Sequence, residues 1–447
     1  MPIVWSHRFR RKPIPTFRHD ALPGDTHLSS LQSALGVVVI LGLAWLLSER
    51  RKDVMWSAIG KGIALQFIIA LLLTKVPVIQ HGLEYLNGMV AALLAATRAG
   101  TSFVFGYVGG GDTPWTTTNP PATFVFAFQA LPLILIISAL AALLFYWNII
   151  PPVVRAFAWV LRRTIGVGGP AGIAVTMNIF VGMVEAPLVI RPYLRTETRS
   201  GLFIIMTAGM AMVAGTVMVL YATLLDGLIP NPIGQILTAS IMAAPATIVI
   251  SFIMVPEDPA QFAASSDPTN VMLPPSPGNN MMSVITKATI DGLQIFANVV
   301  GMLIVLVALV AIANTFLTVL PNVGDGPITL QRVFGWLLSP MAWLLGIPWS
   351  DAPTAGGLLG TKMVLNELIA YSEMAKLPID SMAERSRLIM TYALCGFANF
   401  SSIGITIGGI AAMAPERRPD IIEMAPKAML AGSLATCLSG AVIGVLT

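Results

Sequence analysis

The sequence predicts an all-α polytopic membrane protein with about eight transmembrane helices, interfacial helices and two re-entrant hairpins in an inverted repeat. Three observations carry that expectation. Of 447 residues, 55% are hydrophobic and only 11% charged, with a mean hydropathy of +0.79; soluble domains carry roughly 25% charged residues. Apolar runs approaching the roughly 20 residues a membrane helix needs recur along the chain. Two apolar stretches, 166–193 and 355–375, are interrupted by glycines, an Asn and a Glu, and polar breaks at membrane depth line a cavity or meet a ligand.

Taken in order, residues 1–30 form a basic tail with Arg8, Arg10, Arg11, Lys12 and Arg18 and no apolar run before Leu31, so it does not read as a secretory signal. Spans one and two are 31–47 and 54–73. Residues 82–98 are amphipathic and read as an interfacial helix. A Gly/Thr/Pro loop, 109–121, leads to span three, 122–147. An Arg- and Trp-bearing interfacial helix follows at 151–165, then the first hairpin at 166–193. Span four, 200–225, is broken around Gly209–Gly215, and span five is 232–255.

The Pro-rich segment 257–280 is a linker. Residues 281–294 lead into span six, 295–320. A third interfacial helix, 330–345, precedes the second hairpin, 355–375. Span seven, 386–413, is broken by Cys395-Gly-Phe-Ala-Asn-Phe-Ser-Ser-Ile-Gly404, and span eight is 422–445. Interfacial helix, hairpin, broken span and plain span therefore occur twice, in 151–255 and 330–446. One extra span between them inverts the second unit, the pattern of secondary transporters. Residues 31–147 and 295–320 are then scaffold.

Loop charges set orientation. Arg50, Arg51 and Lys52, Arg155, Arg162 and Arg163, Arg195 and Arg199, and Arg417 and Arg418 share one side, placing both termini outside. The basic tail, Lys376, Arg385 and Arg387 oppose this assignment. The net charge of +4 fits loop cations rather than a nucleic-acid surface. Cys395 and Cys437 both lie in apolar sequence and imply neither a disulfide framework nor a metal cluster. Four histidines without HExxH spacing give no support to a metal-dependent enzyme.

Glu185 and Glu367 are the carboxylates deepest in apolar sequence, candidates for substrate hydrogen bonding or proton carriage; an ion pair with Lys362 or Arg191 is the alternative. Gly182, Met183 and Val184 surround Glu185, and Asn366 precedes Glu367. Asn399, Ser401 and Ser402 lie where span seven unwinds, offering donors and acceptors suited to a polyhydroxylated ligand, with interhelical bonding as the alternative. Phe397 can stack on a flat ring or simply pack. Asn178 with the backbone at Val181 and Val213 offers oxygens to a small hard cation. Met212 beside them is a poor sodium ligand, and Asn178 can equally cap the hairpin helix.

Gly-x-Lys-x-x-x-Asn-Glu-x-x-Ala-Tyr at 360–371, Gly-x-x-Glu-Ala-Pro-Leu at 182–188 and Phe-Ala-Asn-Phe-Ser-Ser-Ile at 397–403 resemble the concentrative nucleoside transporter family, and the resemblance runs from about residue 31 to 447. It implies a homotrimer in the inner (plasma) membrane, with a scaffold and a transport domain that carries nucleoside in an elevator-like movement. The partners implied are a nucleoside, the lipid bilayer and sister subunits. No cofactor is implied beyond a coupling ion, H+ or Na+. By position, Glu367, Asn399 and Ser402 match residues that hold ribose, and Glu185 and Phe397 match residues near the base. Two departures follow. Met183-Val184 stand where the family places Gln-Thr, which alters base selection. Met212 stands where sodium-coupled members place Ser, which favours proton coupling. A neighbouring reading is the same machine carrying another small polar metabolite.

Overall fold

The computed structural model describes residues 23–116, 123–183, 185–258, 280–323 and 327–447, and these are overwhelmingly helical. Much of the expected tail (1–22), part of the loop at 117–122, Val184 and the linker 259–279 lie outside the described residues.

The chain opens with α1 (Pro23–Leu46), α2 (Trp56–Lys75), α3 (Pro77–Phe105), α4 (Phe126–Gln129) and α5 (Leu133–Tyr146). The first repeat is α6 (Ile150–Thr164), α7 (Gly169–Met177), α8 (Glu185–Val189), α9 (Arg199–Ala211), α10 (Gly215–Leu224) and α11 (Pro232–Met254). After α12 (Met281–Leu317), the second repeat follows the same order: α13 (Leu330–Leu344), α14 (Ala352–Val364), α15 (Glu367–Lys376), α16 (Glu384–Leu394), α17 (Phe400–Met413) and α18 (Arg418–Leu446).

Local sequence chemistry writes the helix starts. Thr198, Asn231, Thr329, Asn366 and Asn399 each cap a helix by accepting from a backbone N–H three residues on. Asn280 and Ser283 form a reciprocal capping box at α12. Each cap satisfies a donor that a helix start otherwise leaves bare.

Packing follows from which helices are apolar all round. α11 is buried along nearly its whole length, and it packs with α9, α16 and α18. α1 lies on α18 and α13, and α2 on α11, whereas α5 packs on α12 and α10. α12 leaves Ile304, Val307, Leu309, Ile312 and Phe316 exposed, an apolar surface suited to lipid or a second copy.

Several boundaries differ from the sequence reading. The lead-in and span six form one unbroken helix of 37 residues, about 55 Å long. Pro132 divides span three into α4 and α5. α1 begins at Pro23, inside the expected tail. α3 extends well beyond 82–98 because nothing between Pro77 and Gly106 breaks it, and its segment Ala91–Gly109 is long and apolar enough to cross a membrane. Seven described helices meet that length and composition test. The two broken spans escape it because each half is short.

Charged residues around 49, 195–199 and 416–427 meet one another. Arg199 pairs with Glu49 at 3.0 Å and with Glu423 at 2.7 Å, Lys427 with Glu49 at 2.8 Å, and Arg195 with Glu416 at 2.5 Å. Arg385 reaches instead to the carbonyls of Gly346 and Gly444, beside Ser33, which donates to the Leu345 carbonyl at 3.1 Å. Arg385, the first half of α1 and the end of α18 thus meet around Gly346.

Candidate substrate-binding site

Both hairpins and both broken spans place helix starts around one cavity of about 780 Å³. The first hairpin contributes Gly182, Met183 and Glu185, and the second Asn366 and Glu367; span seven contributes Phe397, Asn399, Ser401 and Ser402. Every predicted substrate residue that is described therefore lines one space.

The break in α16–α17 spans Cys395–Asn399 and ends on the capping residue Asn399. Its Oδ1 accepts from Ser402 N at 2.9 Å, Ser402 Oγ at 3.0 Å and Ser401 Oγ at 2.6 Å. With that oxygen saturated, the amide nitrogen faces outward and donates to Glu367 Oε2 at 3.4 Å. In hairpin 2 the turn is only Leu365–Asn366, because Asn366 caps α15 by accepting from Ile369 N at 2.9 Å. Glu367 then occupies the first position of α15, at the positive end of a helix.

Glu367 is 4% exposed and Asn399 3%. The second carboxylate oxygen, Oε1, accepts from Tyr221 Oη at 2.6 Å. A carboxylate retains further acceptor capacity in this arrangement, and Asn399 retains a second amide hydrogen. Together they match a vicinal diol, which both donates and accepts.

Hairpin 1 is built differently. Its described tip residues run from Asn178 to Met183, and Glu185 is exposed to the cavity rather than enclosed. Its Oε2 folds back over Gly182, where an added Cβ would lie 2.3 Å from it and would displace that exposed carboxylate. Among the described residues no ion pair links Glu185 or Glu367 to Lys362 or Arg191. Lys362 turns to the Ala393 carbonyl and Thr436 instead.

Two of the candidate cation ligands make other hydrogen bonds. Asn178 ends α7, and its Nδ2 donates to the Ala174 carbonyl at 3.3 Å, the capping role the sequence left open. The Val213 carbonyl accepts from Ser240 Oγ at 3.2 Å. Of Asn178, Val181 and Val213, only Val181 borders the cavity. Met212, between α9 and α10, adds no oxygen beyond its backbone.

Sequence reasoning missed Tyr221, and it missed Lys287, Asp291 and Asn298, which line the same cavity from α12. Tyr221 sits in an apolar helix with nothing to mark it. The α12 residues recur at spacings of four and seven, one helical face, but the segment read as a lead-in to a span.

Three family profiles tile the chain. "Na+ dependent nucleoside transporter N-terminus" matches residues 35–108, "Nucleoside recognition" matches 127–227, and "Na+ dependent nucleoside transporter C-terminus" matches 235–444. An uncharacterized transporter of Haemophilus influenzae is 37% identical over 94% of this chain and 98% of its own length. Sodium/nucleoside cotransporter 1 of Rattus norvegicus is 32% identical over 93% of this chain, which spans 64% of that longer protein. The solved structure of CNTnw in an inward-facing substrate-bound state superimposes with a TM-score of 0.83 at 34% identity, covering 93% of this chain and 99% of that one. A doubly substituted CNTnw in an outward-facing state gives 0.85 at 33% identity, covering 94% and 98%. With this coverage, and with Glu185, Glu367 and Asn399 around one cavity, the chain belongs to the concentrative nucleoside transporter family, a family of multi-pass membrane transporters and not of enzymes.

Proposed function

We propose that the protein is a cation-coupled nucleoside symporter of the inner membrane, importing nucleosides by elevator-type alternating access as a homotrimer. The observation that carries this is the Tyr221–Glu367–Asn399 arrangement at the cavity. It presents a paired carboxylate and amide to a ribose diol, with Phe397 beside the space for a flat base. The packing of α5 on α12 supports a stationary frame around those helices. Because α1 and α2 pack on α18 and α11, they move with the repeats in this reading.

Proton coupling is favoured over sodium. A sodium ion needs several oxygen ligands; here the Val213 carbonyl is engaged by Ser240, and Met212 brings a thioether where an oxygen would be needed. The test is uptake of labelled uridine and adenosine into vesicles, under a pH gradient without sodium and under a sodium gradient at constant pH. Uptake driven by the pH gradient is expected. Dependence on sodium alone would reverse the coupling assignment, and intact protein that takes up neither nucleoside would sink the substrate assignment. The apolar Met183 at the base end supports one second reading, that the cargo is a nucleoside-like or other small polar metabolite; competition by such compounds would reveal it.

A further inference from the structure

The substrate site uses only part of the hairpin 2 signature at 360–371. Asn366 and Glu367 are accounted for; Lys362 and Tyr371 are not. Both are enclosed, at 1% and 0% exposure. The Lys362 Nζ donates to the Ala393 carbonyl at 2.8 Å and to Thr436 Oγ1 at 2.7 Å. No ion pair of the described residues includes it. A buried ammonium without a carboxylate is costly unless other groups compensate.

The end of α16 supplies that compensation. A helix leaves its last four carbonyls without intrahelical partners, and they carry the negative end of its dipole. In α16 these are the carbonyls of residues 391–394, and each is met. Thr391 accepts from Tyr371 Oη at 2.7 Å, Tyr392 from Cys395 N at 3.2 Å, Ala393 from Lys362, and Leu394 from Gly396 N at 2.8 Å. Two of the four donors therefore come from hairpin 2, one from each arm. Immediately beyond α16 the chain unwinds to Asn399, which meets Glu367 from the same hairpin.

We propose that Lys362 and Tyr371 are positioning residues. They fasten hairpin 2 to the end of α16 at two points, and so set Glu367 and Asn399 against each other as one preformed half of the substrate site. This rests on the reading of Glu367 and Asn399 as substrate contacts. The lysine does what a neutral side chain of similar length cannot: its charge satisfies a helix end where the backbone stops being helical.

The test is equilibrium binding of labelled nucleoside to the solubilised full-length protein, for Lys362→Met, Asn399→Ala and the double variant. Each single change is expected to weaken binding about tenfold or more. The double variant is expected to stay within about threefold of the worse single, since Asn399 without the clamp no longer stands where it helps. Losses that multiply would overturn the proposal and leave Lys362 a stabiliser of the fold alone.

A second measurement needs no substrate. The melting temperature of Lys362→Ala is expected to be lowered and then raised by methylammonium, but not by tetramethylammonium at equal concentration. An equal response to both overturns the clamp. Wild-type protein that binds no nucleoside would defeat the functional reading, while the melting experiment still judges the clamp. Should neither lysine variant fold, Tyr371→Phe decides. Weaker binding is expected from loss of the single hydroxyl, and wild-type binding overturns the proposal.

Discussion

The Tyr221 phenol donates to Glu367 Oε1 at 2.6 Å, joining residues 146 positions apart and tying the first repeat to the tip of the second hairpin. A hydrogen bond to a charged group contributes about 1.5–3 kcal/mol. Tyr221→Phe should therefore raise the KM for nucleoside by at least about tenfold, and Glu367→Gln should abolish uptake. Initial-rate uptake in vesicles checks both, and an unaltered KM in Tyr221→Phe would remove that tyrosine from the site.

Met183 lines the cavity and presses on α9, where an added Cβ at Gly209 would come within 3.0 Å of the Met183 Cβ. Met183→Gln restores a polar group at the base end. Because polar sites discriminate far more strongly than apolar ones, the ratio of uridine to adenosine KM should shift by about tenfold. Competition uptake with the two nucleosides measures this; a constant ratio would place the base away from hairpin 1.

Met212 stands in the α9–α10 break, next to the Val213 carbonyl. Met212→Ser adds an oxygen ligand of the kind a hard cation requires. Uptake by the variant should be stimulated by sodium more strongly than uptake by the wild type. If the wild type already responds to sodium as strongly, the oxygen inventory has been misjudged.

Two loop carboxylates on the basic face should act oppositely with pH. Burial and the neighbouring Glu257 carboxylate push Glu197 up to about 7 from an ordinary 4.5. Between those values the folded protein holds a proton that the unfolded chain has lost, so this contribution to stability falls as pH rises through that window. Glu197→Gln should flatten the fall. Glu49, hydrogen-bonded by Arg199, is held below its ordinary value. Its contribution is present above about 4.5 and is lost as pH falls. Melting temperatures from pH 4 to 8 in about 0.1 M salt compare the wild type, Glu197→Gln and Glu49→Gln.

Much of the architecture was legible because the membrane imposes it. A span must be about 20 apolar residues, and a Gly182–Glu185 or Asn366–Glu367 interruption is tolerated only beside a cavity. Boundaries were less legible where an apolar run hides a break. Pro132 splits span three, and no break separates 281–294 from span six. At the site, Glu367, Asn366 and Asn399 were readable because polar residues at membrane depth stand out. Tyr221 was not, since an aromatic in an apolar helix looks like packing until its hydroxyl finds a carboxylate.

The sequence by itself determined the helical class, the doubled order of interfacial helix, hairpin, broken span and plain span, and the family, because those depend on local hydropathy and short motifs. Only the tertiary structure decided the partners. Lys362 could have paired with a carboxylate; it satisfies the end of α16 instead. Asn178 could have left its whole amide free; its amide nitrogen caps α7 through the Ala174 carbonyl. A buried polar atom must find a complement, and which complement it finds depends on how distant helices pack.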